Sequence, residues 1–420
     1  MPEPSDDRSI AADGFTVVRR RIVLLSLTAS SSLGLVASTI YVPSVPAIAH
    51  ALHTSIARVQ LTFVGYLLAF AISMLVLGPL SDRLGRRRTV LCGLALSAIA
   101  SLVCAASPTI EVLIAARVLQ GIGACAGLVV GRALTREIWG PEAAAQVIAG
   151  RAIAATLMQA CSPVVGGYLQ ASIGWRANFA AVAVLACFAM ALMIRYVPGR
   201  GPASRPGVSG QGIVASYRLL IATRRFIGYA FAAAGAHAGF HIFAAGAPAV
   251  LIGKFGVTPD QYGYYAALPP LGFLVGSFFS NRLTVRLGVD GLIRIGAMVL
   301  IPAGLVMLGL AMFHVAGPLA VIGPMIFVCC GSGLITPNAT AGSLGVNPRI
   351  VGAASGLGSF IQMTGAAGAT AALSLGPGGS PLVLASVIAF AGLFCVTSFG
   401  SLMQPPRAPA ETVARARVSP

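Results

Sequence analysis

Charged side chains are scarce in this sequence. Of its 420 residues only 9% are charged, and Asp and Glu together number 11, whereas a soluble domain carries about 25% charged residues. So few charges leave no polar shell that could cover a water-facing globule of this length. The shortage therefore excludes a soluble protein.

Motifs of common hydrolases are absent as well. The sequence contains neither His-Glu-x-x-His nor Gly-x-Ser-x-Gly, which are the signatures of zinc proteases and of serine hydrolases. Its eight cysteines all fall within apolar stretches, so they provide no disulfide framework. We therefore predict that the protein is not an enzyme and that it has no cofactor and no metal site.

Long apolar stretches occupy almost the whole chain. A transmembrane helix needs about 20 consecutive apolar residues, and twelve stretches meet that length. They lie at 22–42, 59–80, 89–106, 110–133, 146–170, 177–197, 226–252, 262–281, 291–313, 318–342, 351–375 and 381–402. We therefore predict an all-α integral membrane protein with twelve transmembrane helices, and we number these spans one to twelve.

The net charge of +17 is distributed unevenly across the predicted membrane. If the N-terminus is cytoplasmic, the outer loops hold only Arg58, Arg176 and Lys254, and the other cations of the loops and tails face the cytoplasm. This asymmetry is the positive-inside rule. It predicts that both termini are cytoplasmic, and it explains the charge by the lipid bilayer without any nucleic-acid partner.

One long loop divides the spans into two sets of six. The segment Ser81–Leu84 after span two (Ser-Asp-Arg-Leu) recurs as Ser280–Leu283 (Ser-Asn-Arg-Leu) after span eight, which is typical of the duplicated halves of secondary transporters. We predict a monomer with the following organisation: an N-terminal tail 1–18, a six-helix bundle 19–197, a central loop 198–225, a second bundle 226–403 and a tail 404–420.

The loop between spans two and three carries a dense motif. It combines a Gly-Pro pair expected to break the helix, one acid, a turn glycine and a cationic cluster: Gly78, Asp82, Arg83, Gly85, Arg86 and Arg87. Gly85 permits a tight reversal, and Asp82 can pair with an arginine or a helix N-terminus. Such a contact predicts a latch that holds the two halves in the outward-open state. The alternative is a solvated basic loop that serves topology only.

Span four contains a polar pair and a ladder of glycines. Arg117 lies about seven residues inside the span, which is roughly 10 Å, and Gln120 follows one turn later on the same face. A buried arginine in a bilayer is costly, so we expect Arg117 to serve substrate or proton transfer, or else a structural hydrogen bond. Gly123, Gly127 and Gly131 predict close packing of a neighbouring helix.

Other spans hold further candidates. Span five contains Pro163, Gly166 and Gly167, which predict a kinked helix with a thin face. The candidates for the substrate and proton pathway outside span four are Thr39 and Tyr41 in span one, His237 and His241 in span seven, and Asn338 in span ten.

Together these motifs resemble the bicyclomycin/chloramphenicol-resistance branch of the drug:proton antiporters in the major facilitator superfamily. That branch carries Arg-x-x-Gln-Gly in span four and Pro-x-x-Gly-Gly in span five, matched here at 117–121 and 163–167. The resemblance covers about residues 20–400. It implies two pseudo-symmetric six-helix bundles and secondary active multidrug efflux of small amphipathic compounds, by proton antiport with alternating access, across a bacterial inner membrane.

One departure from the branch concerns coupling. Where the branch carries an aspartate in span one, this chain has Thr39. The histidines are alternative proton carriers, because they lie four residues apart on one helix face and histidine titrates near neutral pH; simple interhelical hydrogen bonding is the other interpretation. Glu111 is a further acid, but its position in the first turn of span four is typical of helix capping. An uncoupled or differently coupled exporter or facilitator of a natural metabolite therefore stays an alternative.

Overall fold

The computed structural model describes residues 17–197, 213–347 and 350–403, which form helices and short connections and contain no strand. The predicted tails and most of the central loop lie outside the described residues. The helices are α1 (Val17–Thr39), α2 (Val45–Ala51), α3 (Ile56–Leu84), α4 (Arg86–Ala106), α5 (Ile110–Ser172), α6 (Trp175–Tyr196), α7 (Ile213–Ala222), α8 (Arg224–Leu251), α9 (Pro259–Met312), α10 (Pro318–Gly345), α11 (Val351–Leu373) and α12 (Pro381–Met403). A 3-10 turn, Val42–Ser44, joins α1 to α2.

The predicted twelve spans are all helical, and the all-α fold class is confirmed. Among the described residues, ten helical segments are long and apolar enough to cross a membrane. One of them, α9, contains both span eight and span nine. Span eleven corresponds to α11, which is helical and rich in glycine, alanine, serine and threonine, and which is not among these ten segments.

Two glycines divide the longest helices into arms. Gly140 interrupts α5 with φ +75° and ψ 169°, and Gly288 interrupts α9 with φ +69° and ψ 170°. Positive φ is accessible to glycine at little cost, so each glycine reverses the chain without a longer loop. The two arms of α5 are spans four and five, and the two arms of α9 are spans eight and nine.

The chain divides into two compact units. Unit 1 is Met1–Gly207 with Leu251–Ala267, and unit 2 is Val208–Val250 with Leu268–Pro420. In unit 1, α5 packs against α1, α3 and α4. The segment Leu251–Ala267, which includes the start of α9, groups with unit 1 rather than with the rest of span eight.

Glycine pairs hold equivalent helices together in each unit. In unit 1 a Cβ built at Gly123 would lie 2.5 Å from the Gly93 oxygen, so spans three and four touch through their backbones. In unit 2 a Cβ at Gly331 would lie 2.7 Å from the Gly296 oxygen, which is the same contact between spans nine and ten. The two units therefore share a packing scheme, as expected for duplicated halves.

The rest of the span-four ladder also contacts backbone or side chains closely. A Cβ at Gly127 would collide with the Ser30 oxygen of α1, and one at Gly131 would lie 2.9 Å from Nη2 of Arg151. Small side chains at these positions let α1 and the second arm of α5 approach the first arm.

Candidate functional site

Arg117 lies at the centre of a buried polar cluster in unit 1. Its side chain is 0% exposed. Nη1 donates hydrogen bonds to the Ala37 oxygen of α1 at 2.9 Å and to Oε1 of Gln120 at 2.5 Å. Gln120 Nε2 in turn donates to Oγ of Ser101 on α4 at 2.7 Å. The polar pair predicted on one face of span four is thus a network that joins three helices.

Aromatic rings enclose the guanidinium of Arg117. Its Cζ lies 4.4 Å from the ring centroid of Tyr41 and 4.2 Å from that of Tyr66. Phe179 backs Tyr41, with ring centroids 5.4 Å apart. A desolvated cation over an aromatic face gains about 2 kcal/mol, so the two rings stabilise a charge that would otherwise be expensive in this interior.

The charge of Arg117 is held without an acidic partner. Among the described residues no carboxylate pairs with it, and its Nε and Nη2 atoms are buried without a hydrogen-bond acceptor. An unsatisfied buried N–H group costs about 1–3 kcal/mol. The guanidinium therefore retains hydrogen-bonding capacity toward an acceptor on a substrate, a water molecule or a moving helix.

Thr39 and Tyr41 lie beside this cluster at the end of α1. Oγ1 of Thr39 is 2.6 Å from Oγ of Ser162 in the second arm of α5, and the Tyr41 hydroxyl is 3.1 Å from Oγ1 of Thr62 on α3. At the position of the branch's aspartate the chain therefore has a neutral hydroxyl pair. Both side chains are buried.

The glycines of span five lie where backbones pass closely. A Cβ at Gly166 would collide with the Ile40 oxygen, and one at Gly167 with the Pro259 oxygen at the start of α9. The Gly166 oxygen also accepts a hydrogen bond from Nδ2 of Asn178 at 3.3 Å. The helix itself continues through Pro163.

A second buried arginine, Arg151, was not predicted as a site residue. It is 4% exposed and donates to the Leu27 oxygen at 2.8 Å, to the Gly131 oxygen at 3.0 Å, and to the hydroxyls of Ser31 and Thr135. It thus ties α1 to both arms of α5. Its position inside predicted span five was the available signal, because a charge inside a membrane span is usually functional.

The loop after α3 forms an ion-pair network within unit 1. Arg86 Nη1 lies 2.9 Å from Oε1 of Glu137, and Nη2 lies 3.4 Å from Oδ1 of Asp82. Arg87 Nη2 donates to the Ile194 oxygen at 2.8 Å. Asp82 and Arg83 are exposed, so the latch assigned to Asp82 stays a prediction.

The predicted helix break at Gly78-Pro79 is wrong, whereas the predicted reversal at Gly85 is present. The Gly-Pro pair does not break the helix, because α3 continues through Gly78 and Pro79 to Leu84. A helix that ended inside a bilayer would expose its carbonyl groups, and here Ser81 Oγ donates to the Gly78 oxygen at 2.7 Å. Gly85 makes the reversal, with φ +92°.

The two histidines of α8 are adjacent in unit 2. Their ring centroids are 4.7 Å apart, and Nδ1 of His241 lies 3.3 Å from the His237 oxygen. Nε2 of His237 is buried without a hydrogen-bond partner. Within the described ranges, no group of three or more His, Cys, Asp or Glu side chains could hold a metal ion.

Asn338 joins α10 to α9 in unit 2. Its Nδ2 donates to Oγ of Ser280 and to the Leu334 oxygen, both at 2.7 Å. Its Oδ1 accepts from Oγ1 of Thr284 at 3.3 Å. These bonds take up most of the hydrogen-bonding capacity of the Asn338 amide. The residue therefore has a structural role in helix packing, and its role in the transport pathway stays a prediction.

Two acids near helix ends, Glu111 and Asp290, have clear partners. Glu111 pairs with Arg58 at 2.5 Å on an exposed surface, and Thr109 caps the same helix end by accepting from the Val112 N–H group. Asp290 accepts a 2.6 Å hydrogen bond from the Tyr229 hydroxyl in unit 2. Neither acid lies beside the buried arginines.

Comparisons with known proteins agree with this architecture. Residues 27–370 match the Major Facilitator Superfamily. The chain is 28% identical to multidrug resistance protein D of Escherichia coli, covering 84% of this chain and 88% of that protein. It is 27% identical to the bicyclomycin resistance protein homolog of Haemophilus influenzae, covering 80% and 84%.

A solved structure supports the fold independently of sequence. The crystal structure of a D-xylose–proton symporter superimposes with a TM-score of 0.73 at 15% identity, covering 90% of this chain and 97% of that one. The expected resemblance is therefore confirmed, and a multi-pass membrane transporter is indicated rather than an enzyme. The match of the superfamily over most of the chain shows that this protein belongs to the major facilitator superfamily.

Proposed function

We propose that this protein exports small amphipathic compounds across the bacterial inner membrane, by proton antiport with alternating access. The observation that carries the proposal is its similarity, over most of the chain, to relatives named for multidrug and bicyclomycin resistance. The buried network of Arg117, Gln120 and Ser101 supports it, because an intramembrane charge marks a substrate or ion pathway.

The charge distribution suggests the class of substrate. Every acid of the described residues lies near a helix end, and the side chains buried in unit 1 include Arg117 and Arg151. At an effective dielectric constant of about 20, a unit charge about 10 Å from an arginine is repelled by about 1.7 kcal/mol. The substrates are therefore neutral or weakly charged rather than organic cations.

The topology is proposed from the arginine asymmetry. Both termini and the loop 198–225 face the cytoplasm, and this loop separates the halves 19–197 and 226–403 of a monomer embedded in lipid. Reporter fusions after Pro198 and after Pro420 test it. Activity of an external reporter at either position would contradict the proposal.

The export proposal is tested by drug accumulation in an efflux-deficient bacterium. Expression lowers the accumulation of at least one amphipathic antibiotic, with chloramphenicol, bicyclomycin and sulfonamides tested first. Arg117→Met abolishes this effect, whereas Arg58→Gln keeps it, because Arg58 is an exposed cation outside the cluster. If no compound of a broad panel changes, the metabolite exporter becomes the better account.

The uncoupled alternative rests on Thr39. A threonine bonded to Ser162 cannot carry a proton across the membrane, so transport uses another titratable group or runs downhill. Thr39→Asp restores the branch's carboxylate and changes the pH dependence of transport, because the added group titrates. Thr39→Asn is the matched polar control that cannot titrate. Identical pH profiles for both variants would remove Thr39 from the coupling mechanism.

A further inference from the structure

A groove runs along unit 2 between the second arm of α9 and α12. Its volume is about 670 Å³, within the range of about 300–1,000 Å³ that is typical of small-molecule sites. Its lining is apolar except for Arg294, and includes Ala297, Ile301, Val396 and Gly400. None of these residues belongs to the transport cluster described above.

One end of the groove is closed by tight helix contacts. A Cβ at Gly392 would lie 2.5 Å from Cδ2 of Leu300, and one at Gly304 would lie 3.4 Å from Cα of Ala389. The helices therefore touch on that side. The opposite end lies at Arg294 and Gly400, near the Gly288 turn of α9 and the last residues of α12.

The floor of the groove is sealed against α8. Cys395 is buried and its thiol donates to the Ala232 oxygen at 3.1 Å, while the ring of Phe399 lies 6.0 Å from that of Tyr229. Met298, on the edge of the groove, is 73% exposed. A ligand therefore reaches the groove from the bilayer side and not from the interior of unit 2.

Arg294 lies at the open end of the groove. It is exposed and makes no hydrogen bond or ion pair with the described residues. It is also the last charged residue before the apolar run that completes α9. A guanidinium binds phosphate oxygens in a bidentate manner, and basic pockets between transmembrane helices bind anionic lipid headgroups.

We propose that the groove binds an anionic phospholipid, with one acyl chain along Ala297 and Val396 and the phosphate on Arg294. The chain's own tail after 403 is close in sequence but does not complement Arg294, because it carries Arg407, Arg415 and Arg417 against one acid. The lipid supplies both the apolar chain that fits the lining and the negative charge that fits its one cation.

The test measures lipid selectivity of the purified full-length protein. Native mass spectrometry counts the lipids retained from micelles that contain equal amounts of phosphatidylglycerol and phosphatidylcholine with the same acyl chains. Wild type retains phosphatidylglycerol preferentially. Arg294→Gln reduces this preference about fivefold, which is the effect expected for one arginine at a membrane surface. Arg286→Gln is the matched control, because Arg286 is an exposed cation of α9 that does not line the groove.

A second pair of variants tests the acyl-chain site without changing charge. Gly400→Leu fills the groove and lowers retention of both lipids, whereas Gly309→Leu does not. A Cβ at either glycine meets no atom within 4 Å, so neither substitution forces a Cβ into the surrounding structure. Size-exclusion chromatography of both variants checks that each is folded. Three outcomes would each overturn the proposal. The first is an equal loss of phosphatidylglycerol preference in Arg294→Gln and Arg286→Gln. The second is unchanged lipid retention in Gly400→Leu, and the third is no lipid preference in the wild-type protein. The assay needs no transport, so its failure is distinct from failure of the export proposal.

Discussion

Units 1 and 2 share a packing scheme but bury different chemistry. In both, a pair of glycines brings two equivalent spans into backbone contact. Unit 1 buries Arg117 and Arg151, whereas no arginine or lysine is buried among the described residues of unit 2. Because a buried cation is expensive in a bilayer, the two arginines distinguish unit 1 and support its proposed role in transport. The shared glycines indicate the fold common to both.

The largest effect is expected from breaking the shared packing. Gly123→Leu in unit 1 and Gly331→Leu in unit 2 both drive a side chain into a facing backbone, which costs about 3 kcal/mol or more because a backbone cannot yield as a side chain does. We expect neither variant to give monodisperse protein in size-exclusion chromatography. Gly309→Leu is the control in open space, and similar behaviour of all three variants would refute the shared role.

The next largest effect is expected from removing a buried polar side chain in each unit and comparing the loss of stability. Arg151→Ala leaves a cavity and removes the hydrogen bonds that join α1 to both arms of α5, at a cost of about 2–5 kcal/mol. Asn338→Ala removes neutral hydrogen bonds in unit 2 and costs about 1–2 kcal/mol. Thermal unfolding in detergent measures both variants. If Asn338→Ala lost as much stability as Arg151→Ala or more, the buried cation would not be the stronger structural link.

The repeated loop segment gives a third comparison. Asp82→Asn should leave the protein inserted but slow transport by about tenfold to a hundredfold, because the predicted latch would lose a charge-assisted contact worth about 1.5–3 kcal/mol. The exposed pair of Asp82 with Arg86 contributes at most about 1 kcal/mol of that. Asn281→Asp adds a charge at the equivalent exposed position of unit 2 and should change the rate little. Transport in proteoliposomes distinguishes the outcomes. A normal rate for Asp82→Asn would leave the loop a role in topology only.

The smallest effect is expected for the histidines of unit 2. His237→Ala should lower uphill efflux under a pH gradient about fivefold, which corresponds to about 1 kcal/mol of coupling free energy, while downhill substrate exchange changes less. His241→Ala is the companion variant, since the two rings are adjacent. If both variants keep full uphill efflux, the histidines are structural and coupling belongs to unit 1 or is absent.

Several features of the candidate site were predictable from residue type and spacing. Arg117 and Gln120 lie one turn apart in an apolar helix, so their contact with each other follows from helix geometry. Gly85 precedes a cationic cluster at a span boundary, and it adopts the positive φ that a tight reversal requires. These predictions concern neighbours in sequence, for which the helix period fixes the distance.

Other features needed contacts between distant segments. Tyr66 was not singled out, yet its ring lies 4.2 Å from the Arg117 guanidinium. Two of the partners of Arg151, Leu27 and Ser31, lie in α1, more than a hundred residues away. The Gly78-Pro79 pair was expected to end a helix, but membrane burial keeps α3 intact because its carbonyl groups have no water to bind.

The sequence by itself determined the number of spans, the helical class and the superfamily, because a bilayer demands long apolar helices whose backbone bonds are all internal. It also predicted the reversal at Gly85, whereas the reversals at Gly140 and Gly288 emerged from the structure. Only the tertiary structure decided which polar side chains meet: the aromatic enclosure of Arg117, the clamp formed by Arg151, and the groove beside Arg294. The physical reason is that a helix fixes the face on which a residue lies, whereas its partner depends on how several helices pack.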